Sequence, residues 1–377
     1  ASVLERDVLP SRVPGYQPRL LDELGAMGEV GWVGRGSLGR DDGRIALFRP
    51  GRDALRPPSA PPDREERPAD ERHERIRDHL ITRGASFYRE IHRAAGGGSD
   101  REVLDALWDL VWAGEVTNDS FAALRAFVGQ GGRGTPSKRS GRPRLGSLTV
   151  LGPPKAQGRW SLVEADVPVD QDSPTQRSHA LATALLDRHG VLTRAAVRGE
   201  GHPGGFAGVY PVLRAMEESG RCRRGYFVAG LGGAQFALPG AVDRMRTTPA
   251  DPQPKAIVLA ATDPANPFGA ALAWPDAPGE QGGHRAGRKA GASVVLVDGT
   301  LALYVEKGGR SLLAIAQDPA VLRTAVIALA GAARVGTVGS LAVERVNGAP
   351  LAFESPVGAA LSEAGFVRTP KGLRLRV

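Results

Sequence analysis

The chain is poor in the residues that build covalent cross-links and in the long apolar runs that build membrane spans. Its 377 residues include one cysteine, Cys222, which excludes an intramolecular disulfide and a zinc site built from several cysteines. Its longest apolar stretch, near 325–333, is much shorter than the roughly 18 residues that a membrane-spanning helix requires. The first residues lack a basic-then-apolar signal pattern, so we expect a soluble cytoplasmic protein without a membrane partner.

Lysine is also scarce, because only 6 of the 49 basic residues are lysine and the others are arginine. Against 41 acidic residues this leaves a net charge of +8, which favours an anionic partner, nucleic acid first. The alternative is a GC-rich genome, which enriches arginine, glycine and alanine without any binding role. The 50 glycines and 29 prolines exclude a coiled coil or one long helical bundle.

Sequence motifs of common enzymes are missing as well. The chain contains no GxxxxGK[ST] phosphate-binding loop, no HExxH and no GxSxG, and its histidines show no metal-ligand spacing. The stretch 34–39 matches GxGxxG, but a strand follows it where a dinucleotide site needs a helix, so it predicts a turn between two strands. Asp263 and Asp298 are weak candidates for a catalytic carboxylate, and the sequence favours a turn role for both.

A weak repeat organises the first two thirds of the chain. Three times an amphipathic helix ends at a glycine, Gly28, Gly114 or Gly220, and passes into a strand. A left-handed residue at the helix end explains each glycine. Three helices followed by a two-stranded wing is the winged-helix arrangement, and the first copy lacks its leading helices, so we expect a fragment of a longer protein.

The predicted fold is therefore α+β, with tandem winged-helix modules followed by a small antiparallel β-barrel. After residue 254 the pattern changes to short strands, with Asp298-Gly299 as a hairpin turn and a helix after Asp318. The tail is predicted as one helix and one strand. The predicted boundaries are a partial winged-helix module at 1–55, a linker at 56–70, a winged-helix module with a basic arm at 71–150, a third module at 151–250, the barrel at 251–350 and a C-terminal helix–strand element at 351–377.

Arginine is concentrated in the arm and the third module. Phosphate contacts are predicted for Arg133, Lys138, Arg139, Arg142 and Arg144 in the arm, for Arg194, Arg198 and Arg214 on helices, and for Arg221, Arg223 and Arg224 at the wing. A solvated, arginine-rich face is the alternative for both groups. The wing of the second module contains Glu115 and Asp119, so this copy is expected to pack against protein, with Trp108 and Trp112 in a core or interface.

Several stretches between about residues 150 and 315 resemble the C-terminal region of Lhr, the actinobacterial large helicase-related family. They include GRWSLVEAD at 158–166, SPTQRSHALATALLDRHGVLTRAAV at 173–197 and ATDPANPFGAALAWP at 261–275. The resemblance implies tandem winged-helix modules and a β-barrel similar to AlkZ-type DNA glycosylases. The Gln-x-Gln motif of those glycosylases is missing here, so no catalytic residue is carried over.

The resemblance implies the nucleic-acid-binding and assembly region of an ATP-dependent 3′-to-5′ DNA helicase that acts in DNA repair. Its ATP and Mg²⁺ would bind a separate helicase core, and this fragment is expected to hold no cofactor or metal. The implied partners are DNA or an RNA–DNA hybrid, the chain's own helicase core and further copies of the chain. Two alternatives stay open, a glycosylase acting on uracil or crosslinked bases and a scaffold for oligomerisation.

Overall fold

The computed structural model describes residues 1–49, 68–129, 153–163, 174–202, 204–247, 254–276 and 285–376. These residues belong to two compact units, one formed by 1–2 and 17–181, the other by 3–16 and 182–377. The basic arm at 133–144 and most of the predicted linker lie outside the described residues. No helix in the described ranges is long and apolar enough to cross a membrane.

Helices and strands alternate along the described residues. A π-helical turn at Leu4–Val8 precedes the first α-helix. The α-helices are α1 (Leu9–Arg12), α2 (Pro18–Ala26), α3 (Glu71–Arg83), α4 (Tyr88–Ala94), α5 (Asp100–Trp112), α6 (Ala122–Val128), α7 (Pro174–His189), α8 (Arg194–Glu200), α9 (Gly205–Glu218), α10 (Pro239–Thr247), α11 (Pro319–Arg334) and α12 (Pro356–Glu363). The strands are β1 (Gly31–Ser37), β2 (Gly43–Phe48), β3 (Ser86–Phe87), β4 (Val116–Asn118), β5 (Arg159–Leu162), β6 (Val191–Leu192), β7 (Arg223–Gly225), β8 (Gln235–Ala237), β9 (Ala256–Ala260), β10 (Ser293–Val297), β11 (Thr300–Val305), β12 (Ser311–Ala314), β13 (Ala342–Val343), β14 (Arg345–Val346), β15 (Ala349–Pro350), β16 (Phe366–Thr369) and β17 (Gly372–Leu375).

The three repeat glycines have the same backbone conformation. Their φ angles are +72° at Gly28, +79° at Gly114 and +73° at Gly220. In each copy the residue after the glycine donates its N–H to a carbonyl five residues earlier, at 2.8–2.9 Å. This pattern is the Schellman helix end, in which only glycine adopts the left-handed conformation without strain. The predicted helix-to-strand pivot is confirmed at all three positions.

The hairpin formed by β1 and β2 accounts for the glycine motif at 34–39. The two strands pair antiparallel from Gly31–Phe48 to Ser37–Gly43. Leu38 donates its N–H to the Asp42 carbonyl at 2.8 Å, which closes the turn between them. The predicted turn between strands is therefore confirmed.

The sheet of the second module includes a strand from beyond residue 150. Strand β5 pairs antiparallel with β3 and with β4, so 159–162 is the central strand of this sheet. The sequence gives no signal for this pairing, because β5 follows β4 by about 40 residues and β3 by more than 70.

Aromatic side chains join the first and second modules in one core. Trp108 on α5 is buried, as predicted, and its ring centroid lies 6.4 Å from Trp32 of β1 and 5.5 Å from Trp160 of β5. A Cβ added at Gly34 would lie 2.0 Å from the Val111 carbonyl oxygen, so the β1 backbone rests directly on α5. The predicted separate modules at 1–55 and 71–150 thus share a hydrophobic interior.

The third module has the predicted winged-helix order. Helices α7, α8 and α9 precede the wing, and the sheet order is β6-β8-β7 with both pairs antiparallel. Leu185, Leu192 and Leu213 are fully buried between these helices and the sheet. The described geometry therefore supports a winged-helix domain within an α+β fold.

The strands after residue 254 form a six-stranded sheet with the order β15-β14-β12-β11-β10-β9. Strands β9 to β12 are an antiparallel meander as predicted, and Asp298 (φ +48°) and Gly299 (φ +80°) form its two-residue hairpin turn. Strand β14 pairs parallel with β12, which departs from the all-antiparallel prediction. Closure into a barrel is not found among the described strands, so the barrel stays a prediction.

The C-terminal tail contributes to the same core as this sheet. It contains α12 and the hairpin β16–β17, where the sequence predicts one helix and one strand. Strand β17 also pairs with β13, and Phe366 and Leu373 are buried in one cluster with Leu303 and Leu329. Residues on both sides of the predicted boundary between 350 and 351 thus contribute to one hydrophobic cluster.

Candidate nucleic-acid interface

Helix α8 presents two arginines one helical turn apart. Thr193 caps the helix by accepting a hydrogen bond from the Ala196 N–H at 3.1 Å. Ala196 and Val197 are buried, which leaves Arg194 and Arg198 exposed. Among the described residues, neither arginine has a hydrogen bond or an ion pair with another side chain. Both guanidinium groups are therefore available to an anion.

The wing carries the other predicted arginines. Arg223 and Arg224 lie on β7, Arg221 precedes that strand, and all three are exposed. Arg224 contacts α9, because its Nε lies 3.3 Å from Glu217 and its Nη1 lies 3.5 Å from the Tyr210 hydroxyl. Arg223 makes no side-chain hydrogen bond or ion pair within the described part of the chain. On the wing, Arg223 is therefore available to bind an anion, whereas Arg224 is held against α9.

Helix α9 holds Arg214 in an exposed ion pair, and its phosphate contact stays a prediction. This arginine lies on the third helix, but its Nε is 3.1 Å from Glu218, one turn further along. The other exposed positions of the helix are small or lack a polar side chain: Ala207, Gly208, Pro211 and Ala215. Positive charge in this module therefore lies on α8 and the wing, and the third helix does not present a basic face.

A buried glutamine holds the wing loop in place. The Gln235 side chain is fully buried at the start of β8. Its Oε1 accepts the N–H groups of Phe227 and Val228 at 2.9 and 2.8 Å. Its Nε2 donates to the carbonyls of Val228 and Leu231, both at 3.0 Å. Sequence reasoning missed this residue, because a single glutamine before an apolar strand carries no local signal.

Asp263 is held by an ion pair and a backbone hydrogen bond. Its buried carboxylate forms two hydrogen bonds with Arg12, one from Nε at 2.8 Å and one from Nη2. The same carboxylate accepts the Ala265 N–H at 2.7 Å. These hydrogen bonds raise the pKa of Arg12 despite the opposing effect of its partial burial. They favour the turn role of Asp263 over the catalytic one.

Arg288 also stabilises this turn, through hydrogen bonds to its backbone carbonyls. Its two terminal nitrogens donate to the carbonyls of Thr262, Asp263, Asn266 and Phe268 at 2.9–3.3 Å. Burial lowers the pKa of Arg288, and the nearby charge of Asp263 acts in the opposite direction. A guanidinium that serves four carbonyls makes 262–268 a rigid segment.

Asp298 likewise forms hydrogen bonds within its hairpin. Its Oδ1 accepts the Lys255 N–H at 2.9 Å, and its own N–H donates to the Lys255 carbonyl at 3.0 Å. The structure does not bring Asp298 and Asp263 together by any hydrogen bond or ion pair in the described residues. This arrangement also favours a turn role.

The second module has an acidic third helix. Glu102, Asp105 and Asp109 are exposed along α5. Just before the wing strand, Glu115 accepts hydrogen bonds from the buried Arg77 at 2.6 and 2.9 Å. Glu102 and Asp105 pair with Arg72 and Arg101, so among the described residues this face offers no unpaired cation comparable to those of α8. That is consistent with the expectation that the second module packs against protein.

A cluster around Glu200 closes the end of α8. Its carboxylate accepts hydrogen bonds from His189 at 2.7 Å and His202 at 3.2 Å and pairs with Arg188. Burial raises the pKa of Glu200, but these hydrogen bonds and the Arg188 charge outweigh it and hold the pKa well below the usual range. No group of three or more His, Cys, Asp or Glu in the described ranges is arranged to hold a metal ion.

Comparison with known proteins identifies related sequences along the whole chain. Two family models, each described as a winged-helix domain of the large helicase-related protein, match residues 1–50 and 171–257. A protein of Mycolicibacterium smegmatis named Lhr helicase/probable uracil glycosylase is 45% identical over 100% of this chain and 26% of its own length. A protein of Escherichia coli K12 named Lhr helicase/uracil glycosylase is 37% identical over 99% of this chain and 25% of its own length. The chain therefore spans about a quarter of the length of these relatives.

Proposed function

Because the chain corresponds to the C-terminal region of the large helicase-related (Lhr) proteins, we propose that it is the nucleic-acid-binding and assembly region of an ATP-dependent 3′-to-5′ DNA helicase acting in DNA repair. The observation that carries this proposal is the set of exposed arginines on the third winged-helix module that have no side-chain partner among the described residues: Arg194, Arg198 and Arg223. Guanidinium groups bind phosphate oxygens in a forked geometry, so the mechanism is electrostatic attachment to the nucleic-acid backbone.

The proposal assigns the energy-consuming step to another part of the parent protein. ATP and Mg²⁺ would bind a helicase core, while this region holds the strand on which the core moves. We expect DNA or an RNA–DNA hybrid as the ligand, a cytoplasmic location, and phosphate contacts from the arm at 133–144. Because such binding releases counterions, its affinity should fall steeply with salt and depend little on base sequence.

Triple charge reversal tests the arginine assignment. The variant R194E/R198E/R223E should bind fluorescently labelled DNA at least about tenfold more weakly at 0.1 M salt. Losing three phosphate contacts should also reduce the slope of log affinity against log salt by about 2 to 3. Fluorescence anisotropy across a salt series measures both quantities.

A matched control separates this effect from net charge. Arg323, Arg374 and Arg376 are also exposed, and no hydrogen bond or ion pair of their side chains is found within the described residues. The variant R323E/R374E/R376E changes the net charge by the same amount away from the third module. Equal losses of affinity in the two triple variants would contradict the assignment of the site.

A DNA glycosylase acting on uracil or on crosslinked bases is the second candidate. The names of the two relatives favour it, since both include uracil glycosylase. If this activity is present, we expect the AlkZ-like arrangement of winged-helix modules and a closed β-barrel that the sequence resemblance implies. Asp263 and Asp298 are engaged in turns, so their replacement should not selectively abolish base removal. Incubation with uracil-containing DNA followed by alkali would reveal abasic sites, and no strand break at stoichiometric protein would reject the activity.

Assembly through further copies of the chain is proposed for the second module. Its acidic third helix is poorly suited to DNA and remains exposed in the described residues. Light scattering on the purified chain measures the oligomeric state, and a monomer at micromolar concentration would count against this part of the proposal.

A further inference from the structure

Tyr226 lies at the end of wing strand β7 and is 90% exposed. Its side chain has no hydrogen bond or ring contact with any other described residue. Phe87 is the only other phenylalanine, tyrosine or tryptophan among the described residues with a largely exposed side chain, and it is only 45% exposed. A single exposed aromatic needs no explanation by itself. The surroundings of Tyr226 are what distinguish it.

The wing loop restrains the backbone that follows Tyr226. The Phe227 ring packs over Gly225, where an added Cβ would lie 3.1 Å from its tip. Gln235 holds the N–H groups of Phe227 and Val228 through one buried oxygen. With these neighbours anchored, less backbone conformational entropy is lost when a ligand covers the Tyr226 ring.

Positive charge lies immediately beside the ring. Arg223 and Arg224 precede it by three and two residues and are exposed. Arg224 is paired with Glu217, so Arg223 is the wing arginine available to a strand. Arginine attracts the phosphates of a strand, and an aromatic face stacks on a base that is not already paired. In a duplex each base is covered by its neighbours, so a tyrosine on the surface gains little from it.

We propose that Tyr226 stacks on an unpaired base of a single strand whose phosphates are held by the neighbouring Arg223. This inference rests on the proposed function and adds to it a preference for single-stranded nucleic acid at the wing. The contact should be tolerant of base identity, because every base has a π-face.

The test compares Y226A, Y226F and wild-type chain on a labelled oligothymidine and on a blunt duplex. Removing one base–aromatic stack should weaken single-strand binding by about fivefold to 150-fold. Y226F keeps the ring and should stay within about twofold of wild type. Since the ring is uncharged, the salt slope should not change, whereas loss of an arginine contact would reduce it.

Two further measurements make the result decisive. F87A removes the other exposed aromatic and should leave single-strand affinity unchanged. In a 2-aminopurine oligonucleotide, stacking on Tyr226 should quench the fluorescence, and Y226A should abolish that quenching. An equal loss on single strand and blunt duplex would overturn the proposal, because it would place Tyr226 in a groove.

The outcomes separate this inference from the proposed function. If Y226A binds a single strand as wild type does while R194E/R198E/R223E binds weakly, stacking is wrong and the phosphate interface stands. If wild-type chain binds no nucleic acid at any salt concentration, the proposed function itself fails.

Discussion

The Arg12–Asp263 pair offers a quantitative test of whether Asp263 is structural or catalytic. The two residues are 251 positions apart, and the pair joins α1 to the turn after β9. Asp263 is fully buried, whereas 43% of the Arg12 side chain is exposed. The two ends of one ion pair therefore differ in their access to water, and this asymmetry predicts different costs for the two single substitutions.

R12M removes the hydrogen-bonded ion-pair partner of a buried carboxylate and leaves it the Ala265 N–H and the nearby charge of Arg288. Breaking a buried pair in this way costs about 3–5 kcal/mol of unfolding free energy. D263N leaves a guanidinium that water reaches, and the amide oxygen can still accept the Ala265 N–H, so the cost should be about 1–3 kcal/mol. The double variant should lose less stability than the sum of the two, because the coupling between the residues is counted once.

Differential scanning calorimetry of the full chain measures the effect on the unit that contains both residues. For a unit of about 200 residues, each kcal/mol shifts the midpoint by roughly 2–4 °C, so R12M should lower it by on the order of 10 °C. Hydrogen exchange of 256–268 should accelerate in the same variant. Arg6 pairs with its sequence neighbour Asp7 in a solvent-exposed position, so R6M serves as the control.

The reasoning fails if R12M costs less than D263N, or if both variants unfold like wild type. A purely catalytic Asp263 would give a third pattern, in which D263N abolishes base removal and leaves the calorimetric midpoint unchanged. Stability and activity measured on the same preparations therefore assign the residue.

Two further predictions concern other parts of the chain. Because the folded-state pKa of Glu200 is depressed, its contribution to stability is present above the unfolded-state value of about 4.3 and is lost as pH falls towards the folded-state value. E200Q should therefore cost about 1–3 kcal/mol at pH 7 and progressively less below pH 4 in urea titrations, and a pH-independent difference would contradict this account. G34A should destabilise its unit by about 1–3 kcal/mol, because the new Cβ would overlap the Val111 carbonyl oxygen. G129A is the control and should not destabilise the unit, because a Cβ there meets nothing within 4 Å. Equal midpoints of the two variants in thermal unfolding would refute the close contact at Gly34.

Local signals let the sequence predict much of the secondary structure. Gly28, Gly114 and Gly220 were identifiable as helix ends because a left-handed residue after an amphipathic helix is a property of a few neighbouring residues. The Asp298-Gly299 turn follows from the same kind of local backbone preference. The winged-helix order of the third module then follows from the spacing of such local elements.

The candidate site was only partly predictable. The sequence identified the exposed arginines, because charge and helical periodicity place Arg194 and Arg198 on a solvent-facing side. It could not tell which arginines are free, since the pairing of Arg214 with Glu218 and of Arg224 with Glu217 depends on side-chain geometry. Only the three-dimensional contacts distinguish a guanidinium that is available from one that is engaged.

Contacts between distant residues were decided by the tertiary structure alone. Strand β5 pairs with β3 across more than 70 residues, and Arg12 neutralises Asp263 across 251. Each contact links backbone or side-chain groups that lose their water on folding and must find partners wherever the chain brings them. Short-range preferences specified where helices and turns begin and end, while the burial of polar groups decided which distant segments share a sheet, a core or an ion pair.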